Sequence, residues 1–308
     1  MKQWKRLAAL SSAIVMAMAT LTYFPSDTLQ NIRWEISASA DGTSAVTWTK
    51  TESDGLTWTL YEDGTLTISG TGTMKDYNSS DNPSPVCNNS KVKKIVIEDG
   101  VTSIGDHAFR SCNNLTSITI PDSVTSIGDH AFRSCNNLTS ITIPDSVTSI
   151  GDYAFGFCVG LSSITLPDSV TSIGDSAFYA CSSLSSITIP DNVTSIGEWA
   201  FFDCWNLTSI TIPDSVTSIG SFAFKNCSNL TVYLESGSTL TSNDLGVDES
   251  KIVSYWNEDN LTWKLTADGT LTISGTGAMK DYDIYGNRSP VYNNSKVKKI
   301  VIEDGVTS

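Results

Sequence analysis

The cysteines are the first residues whose chemistry can be judged from their spacing. Six of the seven recur every 23 residues, at Cys112, Cys135, Cys158, Cys181, Cys204 and Cys227, and Cys87 lies outside that series. Zinc sites pair their thiols as CxxC, and no such pair occurs. If each interval is one coil of a stacked chain, equivalent side chains lie about 4.8 Å apart and run parallel instead of facing each other. We predict buried thiols that pack like Ala or Val, with disulfides as the alternative.

Carboxylates recur at the same interval and could bind calcium. One series is Asp99, Asp122, Asp145, Asp168, Asp191 and Asp214, and the other is Asp106, Asp129, Asp152, Asp175 and Glu198. Neighbouring carboxylates at the coil spacing repel by about 1 kcal/mol in water, and Ca²⁺ would relieve this through oxygen ligands. The sequence has no Asp-rich calcium loop, and Asp is a common turn residue. We predict solvent-facing turn carboxylates and no metal or cofactor, and calcium binding stays open.

The two histidines, His107 and His130, share one position of the repeat. In the other coils this position holds Tyr153, Ser176, Trp199 and Phe222. No Ser or Cys nucleophile is set apart beside the histidines, and no GxSxG, HExxH, P-loop or dinucleotide-binding motif occurs. We therefore predict no catalytic residues and no enzyme activity.

Aromatic residues replace small polar or charged ones in the third to fifth coils. The first two coils have Asn, Arg, Ser or His at these positions, so the core does not require aromatic rings there. The six aromatic residues are Tyr153, Phe157, Tyr179, Trp199, Phe202 and Trp205. Aromatic rings clustered on one rim are typical of surfaces that bind protein or stack on sugar. We predict a binding patch at these six residues; the alternative is that some of the rings pack on the adjoining coil.

A 23-residue repeat must position all of these side chains. It restarts at Val92, Leu115, Leu138, Leu161, Leu184 and Leu207, with a shortened copy at Leu230. A fixed period in this range is typical of solenoids, in which each unit buries its apolar face by stacking on its neighbours.

Each coil is predicted to contain two extended pieces and a turn. In the second coil Leu115, Ile118 and Ile120 point inward on a strand that ends at a proline, and Val124 and Ile127 follow on a second piece. The glycine that comes next is expected to have a positive φ, and the Ala-Phe pair is expected on a single helical turn. The regular Thr and Ser face of the first strand could bind ice, although β-propensity and solubility also explain it.

A hairpin module precedes the array and is copied after it. Residues 56–69 alternate around Asp63-Gly64, which is a hairpin signal, and the same text returns 205 residues later, where Trp58 becomes Trp263. A hairpin alone is marginal in water, so we expect it to dock on the first coil and cap it. The copy ends inside a new coil, and we expect either a fragment of a longer protein or a truncated gene.

The amino terminus resembles a secretory signal. Lys2, Lys5 and Arg6 precede an apolar run from residue 7 to residue 24, and Ala38-Ser39-Ala40 is an A-x-A cleavage site. An uncleaved membrane anchor is the alternative, because the run approaches the length needed to span a bilayer. We expect an exported protein that has no membrane association after cleavage.

The columns of the repeat carry a resemblance to a known family. L-x-x-I-x-I-P-x-S-V-x-x-I-G-x-x-A-F-x-x-C resembles the bacterial surface-antigen, BspA-like leucine-rich repeat; its columns in the second coil are Leu115, Ile118, Ile120, Pro121, Val124, Ile127, Gly128, Ala131, Phe132 and Cys135. The hairpin module resembles the segment that often precedes such arrays. The resemblance implies an exported surface protein associated with adhesion to host proteins, matrix proteins or other cells, with no catalytic motif to carry over.

The predicted fold is a mainly β repeat solenoid, a right-handed superhelix of 23-residue coils with a parallel sheet and short helical turns. Its predicted parts are a signal peptide at 1–40, a capping module at 41–91, the array at 92–234, a linker at 235–260, and a second capping module with the start of a truncated array at 261–308.

The predicted function is adhesin-like binding of an extracellular protein or glycan by a secreted or cell-surface protein. The net charge of −14 argues against nucleic acid or anionic membranes as partners. The alternative is a non-catalytic targeting or spacer arm of a larger extracellular enzyme that acts on polysaccharide. The sequence leaves the ligand, the oligomeric state and the mode of surface attachment open.

Overall fold

A computed structural model describes residues 44–78, 80–235, 238–282, 288–292 and 294–307. Residues 44–308 form one compact unit. The predicted signal peptide at 1–40 lies outside the described residues. Within the described ranges, no helix is long and apolar enough to cross a bilayer.

The amino-terminal module is a three-stranded antiparallel sheet that continues into the first coil. Its strands are β1 (Val46–Thr51), β2 (Thr57–Tyr61) and β3 (Thr65–Ser69), and the short β4 (Gly72–Thr73) follows outside this sheet. Gly64 has a φ of +90°, and the Asp63 carboxylate accepts a hydrogen bond from the Thr65 amide, which closes the turn between β2 and β3. β3 pairs in parallel with β5 (Lys94–Ile97), the strand of the first coil. The expected docking of the hairpin on the first coil is confirmed.

Two parallel ladders run along the array. The first begins with β5 and β7 (Ser117–Thr119), which belong to the sheet of the amino-terminal module. It resumes in a second sheet with β9 (Ser140–Thr142), β11 (Ser163–Thr165), β13 (Ser186–Thr188), β15 (Ser209–Ile212) and β17 (Thr231–Glu235). The second comprises β8 (Ser126–Ile127), β10 (Ser149–Ile150), β12 (Ser172–Ile173), β14 (Ser195–Ile196) and β16 (Ser218–Ile219). In the first coil, β6 (Val101–Ser103) pairs with β4, and an isolated bridge between Ile104 and Ile127 links that coil to β8. Equivalent residues pair, as Ile164 does with Ile141. The predicted mainly β solenoid, with its strands side by side in sequence order, is confirmed.

The core is built from columns of identical side chains. The rings of Phe109, Phe132, Phe155, Phe178, Phe201 and Phe224 form a continuous stack with centroids 5.3–5.5 Å apart. Trp58 of the hairpin packs on the first of these rings at 5.5 Å and thereby closes the stack. Each fully buried side chain of this size contributes about 1.5–3 kcal/mol. No coil could bury its ring alone, so the core depends on stacking.

The segment that contains Ala-Phe is a series of turns, and the predicted helical turn is wrong. Ala108 donates its amide to Gly105 of the same coil (3.3 Å), whereas Phe109 donates to Ala131 of the next coil (2.8 Å). His107 and Ser111 have φ values of +54° and +58°. An α-helix needs uninterrupted negative φ and bonds within one segment. Here every second amide bonds to the adjoining coil instead.

The glycine of each coil is required by close approach, and the predicted positive φ is wrong. Gly128 and its equivalents do not have a positive φ. A Cβ on Gly128 would lie 2.5 Å from Asp106 Oδ1 and 2.8 Å from the Asp106 nitrogen in the preceding coil. A side chain here would therefore force two coils apart.

The predicted linker at 235–260 is corrected by the structure. It contains helix α1 (Ser242–Leu245), a 3-10 helix (Glu249–Lys251) and strand β18 (Ile252–Glu258). Thr241 and Asp244 form a capping box at α1, and Leu245 is buried in the core of the array. β18 pairs in parallel with β17. The array and the second module therefore share one sheet.

The second module repeats the first hairpin. Its strands are β19 (Leu261–Thr266), β20 (Thr270–Gly275), β21 (Gly277–Ala278), β22 (Lys299–Ile302) and β23 (Val306–Thr307). β18, β19 and β20 are antiparallel, and β20 pairs in parallel with β22. The module has its own small core, which consists of Leu261, Trp263, Leu265, Leu271 and Ile273.

Candidate functional site

The six aromatic residues predicted to bind lie on the turn segments that connect the second strand of one coil to the first strand of the next. Three of them, Tyr153, Phe157 and Trp199, have positive φ values of +53°, +61° and +55°. The turns are held in register by bonds between coils, such as that from the Phe157 amide to the Tyr179 carbonyl (2.6 Å). The scaffold therefore presents side chains from successive coils in columns.

Four of the six residues form a half-buried ladder. Tyr179 is stacked on Phe202, with centroids 5.0 Å apart and planes 5° apart. It also contacts Phe157 at 5.1 Å and Tyr153 at 6.0 Å. Rings that cover one another in this way gain packing energy and offer less surface to a partner. For Tyr153, Phe157, Tyr179 and Phe202, the structure supports the packing alternative.

The ladder continues into the first coils through basic residues. His107 stacks on His130 at 4.4 Å, and His130 stacks on Tyr153 at 5.0 Å. The Arg133 guanidinium lies 5.1 Å from the ring centroids of both Tyr153 and Phe157. Burial, then the neighbouring His107 and Arg133, lowers the pKa of His130 to about 4. Burial, then the neighbouring Arg110, also lowers the pKa of His107, so both shifts favour the uncharged imidazole.

The two tryptophans are exposed. Trp199 and Trp205 have exposed fractions of 37% and 56%, and Trp205 Nε1 donates to Asp203 Oδ1 at 3.3 Å. Phe222, which follows Trp199 in the same column of the next coil, is 49% exposed. The Trp199 amide donates a hydrogen bond to the carbonyl of Ser221, the residue before Phe222, and this bond joins the two adjoining coils. We call Trp199, Trp205 and Phe222 the turn-face aromatics.

Polar groups accompany these exposed rings. Lys225 Nζ lies 4.6 Å from the Phe222 ring centroid. Asp203 Oδ1 accepts a hydrogen bond from Asn226 Nδ2 at 2.8 Å. Interfaces with proteins commonly combine aromatic anchors with a polar rim. Phe222 was not among the predicted site residues, although its place in the Trp199 column is a signal that could have identified it.

The second acidic series forms a structural ladder. Asp106 Oδ1 accepts a hydrogen bond from the Asp129 amide at 2.7 Å, and the contact repeats through Asp152 and Asp175 to Glu198. Burial raises the pKa of Asp106 and of Asp152. Among the residues with described positions, no group of three or more His, Cys, Asp or Glu side chains is placed to hold a metal ion. These carboxylates bind backbone amides between coils.

The cysteine column is part of the core, as predicted. Cys158 Sγ donates to the Phe132 carbonyl at 3.1 Å, and the same contact recurs from Cys135 to Cys227. All six thiols of the column are buried. Burial raises the pKa of Cys158 to about 12, so the thiol stays protonated and unreactive.

The repeats match the model of a known family over more than half of the chain. The description of that family is a BspA type leucine rich repeat region; six copies match, in residues 83–165 and 148–244. No curated protein matches the sequence.

Solved structures of other bacterial leucine-rich repeat proteins are similar to this chain. The T. pallidum leucine rich repeat protein is 26% identical over 59% of this chain and 90% of its own, with a TM-score of 0.46. A leucine rich cell surface protein from Faecalibacterium prausnitzii A2-165 is 32% identical over 77% of this chain, which covers 65% of that protein, with a TM-score of 0.47. A leucine-rich repeat protein from Bacteroides ovatus ATCC 8483 is 22% identical over 90% of this chain and 78% of its own, with a TM-score of 0.48. On the extent of the family match, the chain belongs to the BspA type leucine rich repeat family.

Proposed function

We propose that the protein is exported, stands at or is released from a bacterial cell surface, and binds an extracellular protein without catalysis. The observation that carries the proposal is the exposure of the turn-face aromatics in a scaffold that does not need them. At the positions of Trp199 and Trp205, the second coil has His130 and Asn136. Large exposed rings cost solubility, and Trp is the residue most enriched at binding hot spots.

Two features support export. Lys2, Lys5 and Arg6 followed by an apolar run are typical of a signal peptide. The column of buried thiols suits an oxidising compartment, because a thiol that is protonated and inaccessible does not take part in disulfide exchange.

The test is a double variant in which the residues of the second coil replace the tryptophans, Trp199→His with Trp205→Asn. Binding of the chain to a panel of immobilised extracellular matrix proteins and glycans is measured by biolayer interferometry, and the melting temperature by calorimetry. We expect binding to a protein of the panel to weaken by at least about tenfold while the free energy of unfolding changes by less than about 0.5 kcal/mol.

Thr142→Ala, at an exposed residue of strand β9, is the matched control and should leave both quantities unchanged. If the double variant binds as the parent does and melts several degrees lower, the tryptophans are packing groups and the proposal is wrong. If the chain binds only glycans of the panel, the proposed protein partner is wrong.

A further inference from the structure

A second surface lies on the strands, away from the turn segments. In the array, the exposed face of the first ladder carries threonine at one register position of five successive coils, namely Thr119, Thr142, Thr165, Thr188 and Thr211. On β17, Tyr233 takes the next place and pairs with Thr211. The regular hydroxyl face therefore ends in an aromatic ring where the array meets the second module.

Tyr233 lines an open cavity of about 330 Å³ on the sheet surface. Its other lining residues are Ser209 and Thr211 of the neighbouring strand β15, and Tyr255, Asn257, Thr262 and Lys264 of the antiparallel pair β18 and β19. Tyr255 is paired with Lys264 across these strands, and Asn257 is paired with Thr262. This volume is at the lower end of the range for small-molecule sites. We call this cavity the junction site.

The polar groups of the junction site are held in place by their neighbours. Thr262 Oγ1 donates to Asn257 Oδ1 at 3.0 Å, and this bond does not use the amide hydrogens of Asn257. Lys264 Nζ lies 5.7 Å from the Tyr233 ring centroid. Tyr233 and Tyr255 are half-buried, so each ring is supported on one side and accessible on another. The site thus combines two aromatic rings with hydroxyl and amide groups.

The charge around the site is mixed and acidic on balance. Burial raises the pKa of Tyr255, and the carboxylates of Glu235, Asp191 and Asp214 raise it further. Among the lining residues that the structure describes, Lys264 is the one cation. These described lining residues include no carboxylate, and the carboxylates near Tyr255 oppose the attraction of an anionic ligand to Lys264.

We propose that the junction site binds an uncharged saccharide. A pyranose ring has a face of C–H groups that can lie against an aromatic ring, and a rim of hydroxyls that can bond to Asn257, Thr262 and Lys264. The preceding coils of the array have the same hydroxyls without the aromatic rings. Tyr233, in place of the threonine, adds the ring that lines the cavity. This site is on different elements from the turn-face aromatics and does not depend on their binding a protein.

The test measures binding of cellotetraose, maltotetraose and chitotetraose to the full chain by isothermal titration calorimetry, with a heparin tetrasaccharide as the anionic probe. Tyr233→Thr restores the residue of the five preceding coils, so the variant is expected to fold. We expect at least one of the three uncharged tetrasaccharides to bind, with about tenfold weaker binding in Tyr233→Thr.

The double variant Trp199→His with Trp205→Asn is the control and should bind the same saccharide as the parent does. That result separates the junction site from the proposed protein interface, since either can fail while the other stands. The inference is overturned if none of the three uncharged saccharides binds, if only the heparin fragment binds, or if Tyr233→Thr binds a saccharide as tightly as the parent.

Discussion

The two hairpin modules have nearly the same sequence and the same local structure. Trp58 meets Tyr77 edge-on at 5.9 Å in the first, and Trp263 meets Tyr282 edge-on at 5.9 Å in the second. Gly64 and Gly269, 205 residues apart, have φ values of +90° and +88°. The turn and the aromatic contact therefore follow from the local sequence.

The same residues differ in burial where the modules meet their neighbours. Ile95 of β5 is 0% exposed, whereas its copy Ile300 of β22 is 58% exposed. β5 is covered by β7 of the next coil, and in the described part of the chain β22 lies at the edge of its sheet. The comparison teaches that a coil of this solenoid acquires its interior from the following coil.

The opposite edges of the modules also differ. β1 ends the sheet of the first module in the described part of the chain, whereas β18 of the second module is bonded to β17 of the array. The module can therefore serve as a cap or as a continuation of a sheet. The edge strands β1 and β18 differ in sequence, since the copied text begins only at residues 56 and 261.

The largest expected effect separates the two copies of one isoleucine. Ile95→Ala removes a buried side chain and should lower the free energy of unfolding by about 2–5 kcal/mol. Ile300→Ala changes an exposed side chain and should alter it by less than about 0.5 kcal/mol. Denaturant unfolding of both variants, with hydrogen exchange to locate the loss, checks the prediction. Equal effects of the two substitutions would show that burial by the next coil is not what distinguishes the modules.

A smaller effect should be the same in both modules. Gly64→Ala and Gly269→Ala each place a Cβ 2.5 Å from a carbonyl oxygen, that of Lys91 or Lys296, at a positive φ. The conformational term alone should cost about 1–2 kcal/mol in each case. Calorimetry of the two single variants measures the losses.

The matched control for the turn is Gly55→Ala. Gly55 has a φ of +85°, but a Cβ there would meet no atom within 4 Å. The free energy of unfolding of this variant should fall only by the conformational cost of the positive φ, so the variant should be more stable than Gly64→Ala. A loss in Gly55→Ala as large as that in Gly64→Ala would rule out close approach as a separate cause.

Most of the fold could be predicted from the sequence because each column of the repeat meets copies of itself. The Leu, Val, Phe and Cys columns had to be internal once the period was recognised. β18 was missed although it forms a local hairpin with β19, because its other partner, β17, comes from the array. The role of Gly128 was missed for a similar reason, since the atom that excludes its Cβ belongs to Asp106 of the preceding coil.

The candidate site could be predicted by residue type but not by exposure. Tyr179 is half-buried because the next coil places Phe202 against it. Trp205 is exposed, and its column has Ser182 and Ser228 in the adjoining coils, which offer no ring to stack on. Whether a ring is packed or exposed thus depends on the residues at the same position in the two adjoining coils. The junction site at Tyr233 was not predicted because its lining combines strands of the array with β18 and β19.

The smallest expected effect concerns the ion pairs of the two modules. Lys75 bonds to Glu52, whose side chain is 4% exposed and which also contacts Lys50 at 2.6 Å. Its counterpart Lys280 pairs with Glu258 at 3.4 Å and with Asp259 at 3.1 Å, and that lysine is 45% exposed. Burial alone would raise the pKa of Glu52, but the hydrogen bonds and charges of Lys50 and Lys75 outweigh it, and the pKa is lowered.

A carboxylate with a lowered pKa stabilises the fold above its ordinary pKa, and this contribution disappears as the pH falls through the lowered value. Glu52→Gln should therefore reduce the loss of stability on acidification below about pH 4.3, the ordinary pKa of Glu. Asp259→Asn, in the exposed pair of the second module, should leave the acid limb unchanged, because exposed pairs contribute little. Urea unfolding between neutral pH and the acid limb measures both variants. The prediction is wrong if Asp259→Asn reduces the loss of stability at low pH and Glu52→Gln does not. The pH-sensitive ion pair would then lie in the second module.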